Sequence, residues 1–354
     1  MADYAAFLSA PAEERRGAFL TTAARLGTAE VNVEKDFWVC WTLQALFHQL
    51  AGDAPRLLFK GGTSLSKGYG LISRFSEDID VTVFRNDLGQ PASIQELEAL
   101  SGAKRKARLE AIKAACQAYI QGPLREQLGA LLSATLAEAG AEAPEARVEP
   151  DPDDPDGQTL LLWYPTATQG AAEPGYVRPA VKIESGAKSA LDPHHPVIVR
   201  PYVDADLPAL DLAVEGITTV DPERTFWDKV VIAHGLCRWF DKRSVLRGGG
   251  QRVTRHYYDL HRLMEADRGQ AAIDDLALGA DCVAHARMFF NSPDLDLASA
   301  MPGTFALAPT AAMIGPLEAD YRAMSGMVFG EAPSFEAVMA SVTRLQQRLN
   351  TIAA

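Results

Sequence analysis

At 354 residues, with 47% hydrophobic and 23% charged side chains, the chain is long enough to bury a large core and has the composition of a globular protein. A net charge of −12 excludes the uniformly basic surface of a protein that coats nucleic acid non-specifically. No apolar run is long enough for a bilayer, Met1-Ala2-Asp3-Tyr4 has no basic-then-apolar leader, and Cys40, Cys116, Cys237 and Cys282 form no C-x-x-C pair, so we expect a cytoplasmic protein with reduced thiols, no membrane partner and no structural zinc.

Residues 4–26 carry Ala, Leu and Phe at helical spacing. From Val33 to Phe47 the apolar residues recur at i, i+3 and i+4 behind an acidic start, which predicts a strongly apolar helix. Leu57-Leu58-Phe59 predicts a short buried strand, and Gly61-Gly62-Thr63 a turn, with Thr63 capping a helix that runs to about Gly70. The next strand is expected from about Asp78 to Phe84. Residues 94–141 read as two helices, broken at Gly122-Pro123. Glu149 to Gly157 is an exposed acidic turn joining two strands, and strands are predicted over Thr159–Pro165, Val177–Glu184 and Val197–Val203. From about Pro222 the pattern is mainly helical, with Arg247 to Gln251 as a mobile glycine tip. The expected domains are 1–218 and 219–354.

Two segments run against the overall charge. Lys104 to Arg108 with Lys113 reads as a solvated helix face. Arg238, Lys242, Arg243, Arg247, Arg252, Arg255 and His256, opposed only by Asp241, form the better nucleic-acid surface.

The chemistry concentrates between Lys60 and Asp80. Gly61-Gly62-Thr63-Ser64, placed after a buried strand, can aim backbone N–H groups at a triphosphate, and glycine lets the backbone come close. It is not a Walker loop, because Ser66 rather than glycine precedes Lys67. Asp78 and Asp80 lie two apart in a β-branched run and so share one strand face. Two adjacent carboxylates suit Mg²⁺, which keeps waters and takes further ligands from substrate phosphates. For Glu184 two readings stand: a third metal ligand from a neighbouring strand, or a solvent-facing residue paired with Lys182. Lys229 is either a surface lysine or a cation that neutralises a transferring phosphate. Asp259 is a partner for Lys229 or a cation, or a base for an acceptor hydroxyl. Tyr257 and Tyr258 read as core aromatics.

Lys60-Gly61-Gly62-Thr63-Ser64-Leu65-Ser66, Arg74-Phe75-Ser76-Glu77-Asp78-Ile79-Asp80, Glu223-Arg224-Thr225-Phe226-Trp227-Asp228-Lys229 and Arg255-His256-Tyr257-Tyr258-Asp259-Leu260 resemble the four motifs of the AbiEii/AbiGii toxin family of nucleotidyltransferases. Glu34-Lys35-Asp36-Phe37-Trp38 resembles the helix preceding the first motif. The resemblance covers roughly residues 30–265. It implies an α+β, DNA polymerase β-like nucleotidyltransferase domain with a mixed sheet, followed by a mainly helical C-terminal domain. It further implies the MenT-like toxin half of a type IV toxin–antitoxin pair, tied to phage defence, that adds nucleotides to the 3′ end of tRNA. Carried over by motif, Gly61, Gly62 and Thr63 or Ser64 hold the NTP triphosphate, with Ser76 in the nucleotide-binding set. Asp78 and Asp80 hold Mg²⁺, Lys229 contacts the phosphates and Asp259 completes the site, while Glu184 enters by fold analogy alone. Two alternatives remain: a transferase acting on a protein or small molecule, and a nucleotide-binding regulatory module without turnover.

Overall fold

The computed structural model describes residues 3–141, 143–168 and 178–351. Met1 and Ala2, read above as lacking a leader, and Val177, the first residue of one expected strand, lie outside them. The chain divides into two compact units. The first comprises Met1–Tyr69, Phe75–Ala92 and Lys106–Thr219, and the second Gly70–Arg74, Ser93–Arg105 and Val220–Ala354.

The architecture is α+β. A seven-stranded mixed sheet has the order β3-β4-β5-β2-β1-β7-β6, with β1 Leu57–Lys60, β2 Asp78–Val83, β3 Arg147–Pro150, β4 Thr159–Trp163, β5 Ala180–Gly186, β6 His194–Val199 and β7 Val214–Val220. At its centre β2 runs antiparallel to β1 and parallel to β5. Both outermost strands contain a proline, Pro150 in β3 and Pro196 in β6. Proline donates no backbone N–H, so it is tolerated at a sheet edge and discourages further pairing there.

Helices α1 Tyr4–Leu8, α2 Ala12–Leu26 and α3 Glu30–Gln44 precede the sheet. Ring contacts link Tyr4, Phe7, Phe19, Phe37 and Trp38, and Trp38 stacks on Tyr164 at 5.2 Å. This is the aromatic part of the first unit's core.

Four parts of the chain depart from expectation. The helix after the glycine pair is one turn, α4 Gly61–Thr63, which passes into a π-helical turn over Ser64–Gly68. The 94–141 segment contains three helices, α5 Ile94–Glu98, α6 Gly102–Tyr119 and α7 Arg125–Glu138, the last two joined through a π-helical turn at Ile120–Leu124. Pro123 lies inside that turn, where the wider hydrogen-bond spacing absorbs its missing donor without breaking the chain's course. Strand β7 was not expected as a strand, and the strand predicted to reach Val203 ends at Val199 before a 3₁₀ turn at Tyr202–Asp206. The acidic turn joins β3 to β4 as an antiparallel hairpin.

The second unit is mainly helical: α8 Pro222–Arg243, α9 Thr254–Glu265, α10 Asp267–Asp274, α11 Leu276–Phe289, α12 Ala311–Ser325 and α13 Phe335–Thr351. Pro222 opens α8 at a position where a missing donor costs nothing. Trp227 is buried at its core and donates its indole N–H to the Ala272 carbonyl at 2.8 Å. On α11, Gly279 lies under the indole, and a Cβ there would stand 2.8 Å from the ring. All four cysteines are buried and unbridged. Burial raises their thiols, Cys116 to about 11 and Cys237 to about 12, so they remain protonated packing residues.

Candidate active site

Alternation along β2 makes the acid face. Ile79, Val81 and Val83 are fully buried on one side, which turns Asp78, Asp80 and Thr82 to the other. The parallel neighbour repeats the pattern in register, with Asp78 opposite Lys182 and Asp80 opposite Glu184. Asp78, Asp80 and Glu184 therefore share one face of two adjacent strands. Lysines accompany them. Lys182 Nζ lies 2.9 Å from Glu184 Oε1 and 3.5 Å from Asp151 Oδ2, and Lys60 Nζ lies 3.9 Å from Asp80 Oδ1. Burial works against the Lys182 ammonium, but Glu184, Asp78 and Asp151 outweigh it and raise its pKa.

The glycine turn leans on this face. In the antiparallel register Lys60 is opposite Asp80, so Gly61 emerges beside that carboxylate. Gly61 has φ +82°, and a Cβ there would land on Asp80 Oδ2 and 2.8 Å from its Cγ. Both the backbone conformation and the close approach therefore require glycine. Thr63 is fully buried, and its hydroxyl donates to the Asp78 carbonyl and lies 2.8 Å from Ser76 Oγ. Ser64 Oγ donates to the Gly61 carbonyl at 2.9 Å. The Thr63 hydroxyl locks the turn to the start of β2 and the Ser64 hydroxyl closes the turn on itself, while the backbone N–H groups are the turn's means of meeting an anion. With α4 only one turn long, the helix dipole adds little.

A two-carboxylate donor set fits Mg²⁺, which needs only one or two protein carboxylates besides waters and substrate oxygens. Among the described residues no three His, Cys, Asp or Glu side chains are disposed to hold a metal together. Glu184 faces the same way as the pair but is engaged by Lys182.

In the second unit Asp259 of α9 is fully buried between two cations. Arg74 grips it through both arms, Nε to Oδ1 at 2.8 Å and Nη2 to Oδ2 at 2.9 Å, and Lys229 of α8 reaches Oδ2 at 2.7 Å. Burial alone would raise this carboxyl, but Arg74 and Lys229 prevail and hold it well below the usual range. Burial, and then Lys229 and Arg255, push the neighbouring His256 imidazole far below its usual range, so it is neutral at pH 7. The charge on Arg74 was not singled out in the sequence, although it opens the same motif as Asp78. Nor were the ion pairs Lys35–Glu77 at 2.6 Å and Lys67–Asp36 at 2.7 Å. Their signal was available: Glu34-Lys35-Asp36 puts consecutive charges into an otherwise apolar helix.

The second basic segment is partly neutralised. Arg238 meets Asp241 and Asp296, and Arg243 meets Asp294 at 2.6 Å. The guanidinium groups of Arg243 and Arg247 each lie 5.7 Å from the centre of the Trp239 ring. Trp239 therefore has a cationic surround.

A search of curated proteins finds no match. Among solved structures the chain is similar to MenT4, a nucleotidyltransferase toxin from Mycobacterium tuberculosis H37Rv, at 16% identity and a TM-score of 0.48 over 94% of this chain and 89% of that one. The family described as nucleotidyl transferase AbiEii toxin, type IV TA system, matches residues 44–341, which contain the glycine turn, the acid strand, Lys229 and Asp259. The chain belongs to this AbiEii family of nucleotidyltransferase toxins of type IV toxin–antitoxin systems.

Proposed function

We propose that the protein transfers a nucleoside monophosphate from an NTP to the 3′ end of an RNA, with tRNA as acceptor, in a Mg²⁺-dependent reaction that accounts for its toxicity. The observation that carries this reading is the Asp78/Asp80 face with Gly61 pressed against Asp80. In the reaction the acceptor 3′-hydroxyl gives up its proton to solvent and its oxygen attacks the α-phosphorus, a new phosphodiester P–O bond forms, the bond to the β-phosphate oxygen breaks, and pyrophosphate leaves with the electron pair. Mg²⁺ held by Asp78 and Asp80 would supply positive charge where negative charge builds on the phosphates. The glycine turn would present backbone donors to the triphosphate, and Thr63 keeps that turn tied to Asp78. Lys229 and Asp259 enter by motif; their ion pair, joined by Arg74, keeps the lysine charge in a fixed place. Catalysis on this scheme is mainly positioning plus charge neutralisation. For an RNA acceptor, Trp239 with Arg243 and Arg247 offers an aromatic and cationic surface.

The net charge of −12 favours one second reading, in which the acceptor is a protein or small molecule. The deciding experiment supplies each labelled NTP in turn with total tRNA and, separately, with a protein extract. Label on tRNA that disappears with Asp80→Asn supports the proposal. Label on protein alone transfers the case to the second reading. No label from any NTP, together with normal growth on expression, defeats both. A small upstream gene for a DNA-binding regulator would support the toxin assignment.

A further inference from the structure

Glu34, Lys35 and Asp36 are 2%, 4% and 3% exposed, in a helix whose following residues, Phe37 to Leu43, are core. Buried charges are costly unless each is paired and hydrogen-bonded. Lys35 and Asp36 are ion-paired and Glu34 is held by hydrogen bonds, each with a different segment. The Glu34 carboxylate accepts from Ala167 N at 2.5 Å, Thr166 Oγ1 at 2.7 Å, Thr168 N at 3.3 Å and the Thr168 hydroxyl. Lys35 Nζ lies 2.6 Å from Glu77 Oε2. Asp36 accepts from Lys67 Nζ at 2.7 Å and from Tyr202 N at 2.6 Å, and Lys67 lies 3.5 Å from the centre of the Tyr202 ring.

The placement of the partners gives this pattern its meaning. Glu77 is the residue immediately before Asp78. Lys67 lies in the π-helical turn that continues directly from Gly61–Thr63. Successive residues on a helix project about 100° apart, so neighbours can reach separate segments while sharing one rigid backbone. Adjacent positions on α3 thus hold the root of the acid strand and the root of the glycine turn.

We propose that Lys35 and Asp36 are positioning residues of the active site: Lys35 sets Asp78 through Glu77, and Asp36 sets the glycine turn through Lys67. The inference rests on the metal-and-nucleotide reading above. It makes the two halves of the site separately adjustable from one helix, the acid half governing metal and the glycine half governing nucleotide.

Removing one partner of a buried pair endangers the fold, so the test replaces whole pairs with apolar residues of similar volume, a change that buried pairs often tolerate. The variants are Lys35→Met with Glu77→Leu, and Asp36→Leu with Lys67→Met. Free Mn²⁺ is followed by electron paramagnetic resonance, nucleotide affinity by binding of labelled NTP, and folding by thermal melting. The first pair of changes is expected to weaken Mn²⁺ binding about tenfold, the scale of losses for residues that orient metal ligands, and to leave NTP affinity at saturating metal unchanged. The second is expected to weaken NTP binding with Mn²⁺ affinity unchanged. Lys35→Arg, which keeps the charge, is expected to retain Mn²⁺ binding. If both double variants lose metal and nucleotide together in step with melting temperature, or if neither loses either, the inference is wrong. Wild-type protein that binds no Mn²⁺ strikes the metal reading itself, and the inference falls with it.

Discussion

Asp80 on β2 and Asp259 on α9 carry the same carboxylate into different surroundings. Asp80 keeps 27% of its side chain exposed, has Lys60 at 3.9 Å and is crowded by a glycine that leaves room for nothing but backbone. Asp259 is fully buried, with a two-armed arginine and a lysine on its oxygens. A carboxylate with a loose cation can exchange it for a metal and phosphate. One enclosed by two cations serves to hold them. Environment, rather than residue type, separates an acid that can meet a ligand from one that organises charge.

Breaking the second kind should cost stability most. Asp259→Asn leaves Arg74 and Lys229 buried without their anion, and a loss of about 3–5 kcal/mol is expected in urea unfolding. A loss below about 1 kcal/mol would dissolve the contrast with Asp80. Breaking the first kind should cost activity instead. Asp80→Asn is expected to slow nucleotide transfer by about 10²–10³-fold with an unchanged melting temperature. Gly61→Ala tests the crowding. The new Cβ must move the Asp80 carboxylate, and a displacement on the order of 1 Å at a reacting centre costs about 10²-fold in rate. The positive φ adds about 1–2 kcal/mol of strain.

Acid sharpens the same division. Asp259 titrates below the ordinary carboxylate value, so its contribution to stability is fully present above about pH 4 and is lost as pH falls from there through its folded value. Wild-type urea midpoints should drop over that window, and the Asp259→Asn midpoints should drop less. The smallest effect is expected at Lys182→Met, which removes a one-third-exposed lysine from Glu184. Stability should change by less than about 1 kcal/mol. Tighter Mn²⁺ binding in this variant would bring Glu184 into the ligand set, and unchanged binding would leave it a strand residue paired with Lys182.

Much of the acid face was legible because strands repeat every two residues, and Ile79, Val81 and Val83 declare which side is core. The helical C-terminal part was legible from its 3.6-residue period. Other features left weaker marks. Strand β3 has four residues and ends in proline, and β7 contains Gly216, so neither carries a clean alternation. The π-helical turns at Ser64–Gly68 and Ile120–Leu124 depend on one extra residue per turn, which no hydrophobic period records. Arg74 and Asp259 are 185 positions apart, and nothing local to either names the other. The charges of α3 were visible, but their partners at Glu77, Lys67 and residues 166–168 come together only through the fold.

The indole of Trp227 resting on Gly279 leaves no room for a side chain at that point of the helical unit. Two helices approach there only because one of them lacks a side chain, and even a methyl group would wedge them apart. Such a wedge, far in sequence from the acid strand, is the natural place to create a heat-sensitive allele: a toxin that cells can carry without harm when warm and that regains its force on cooling.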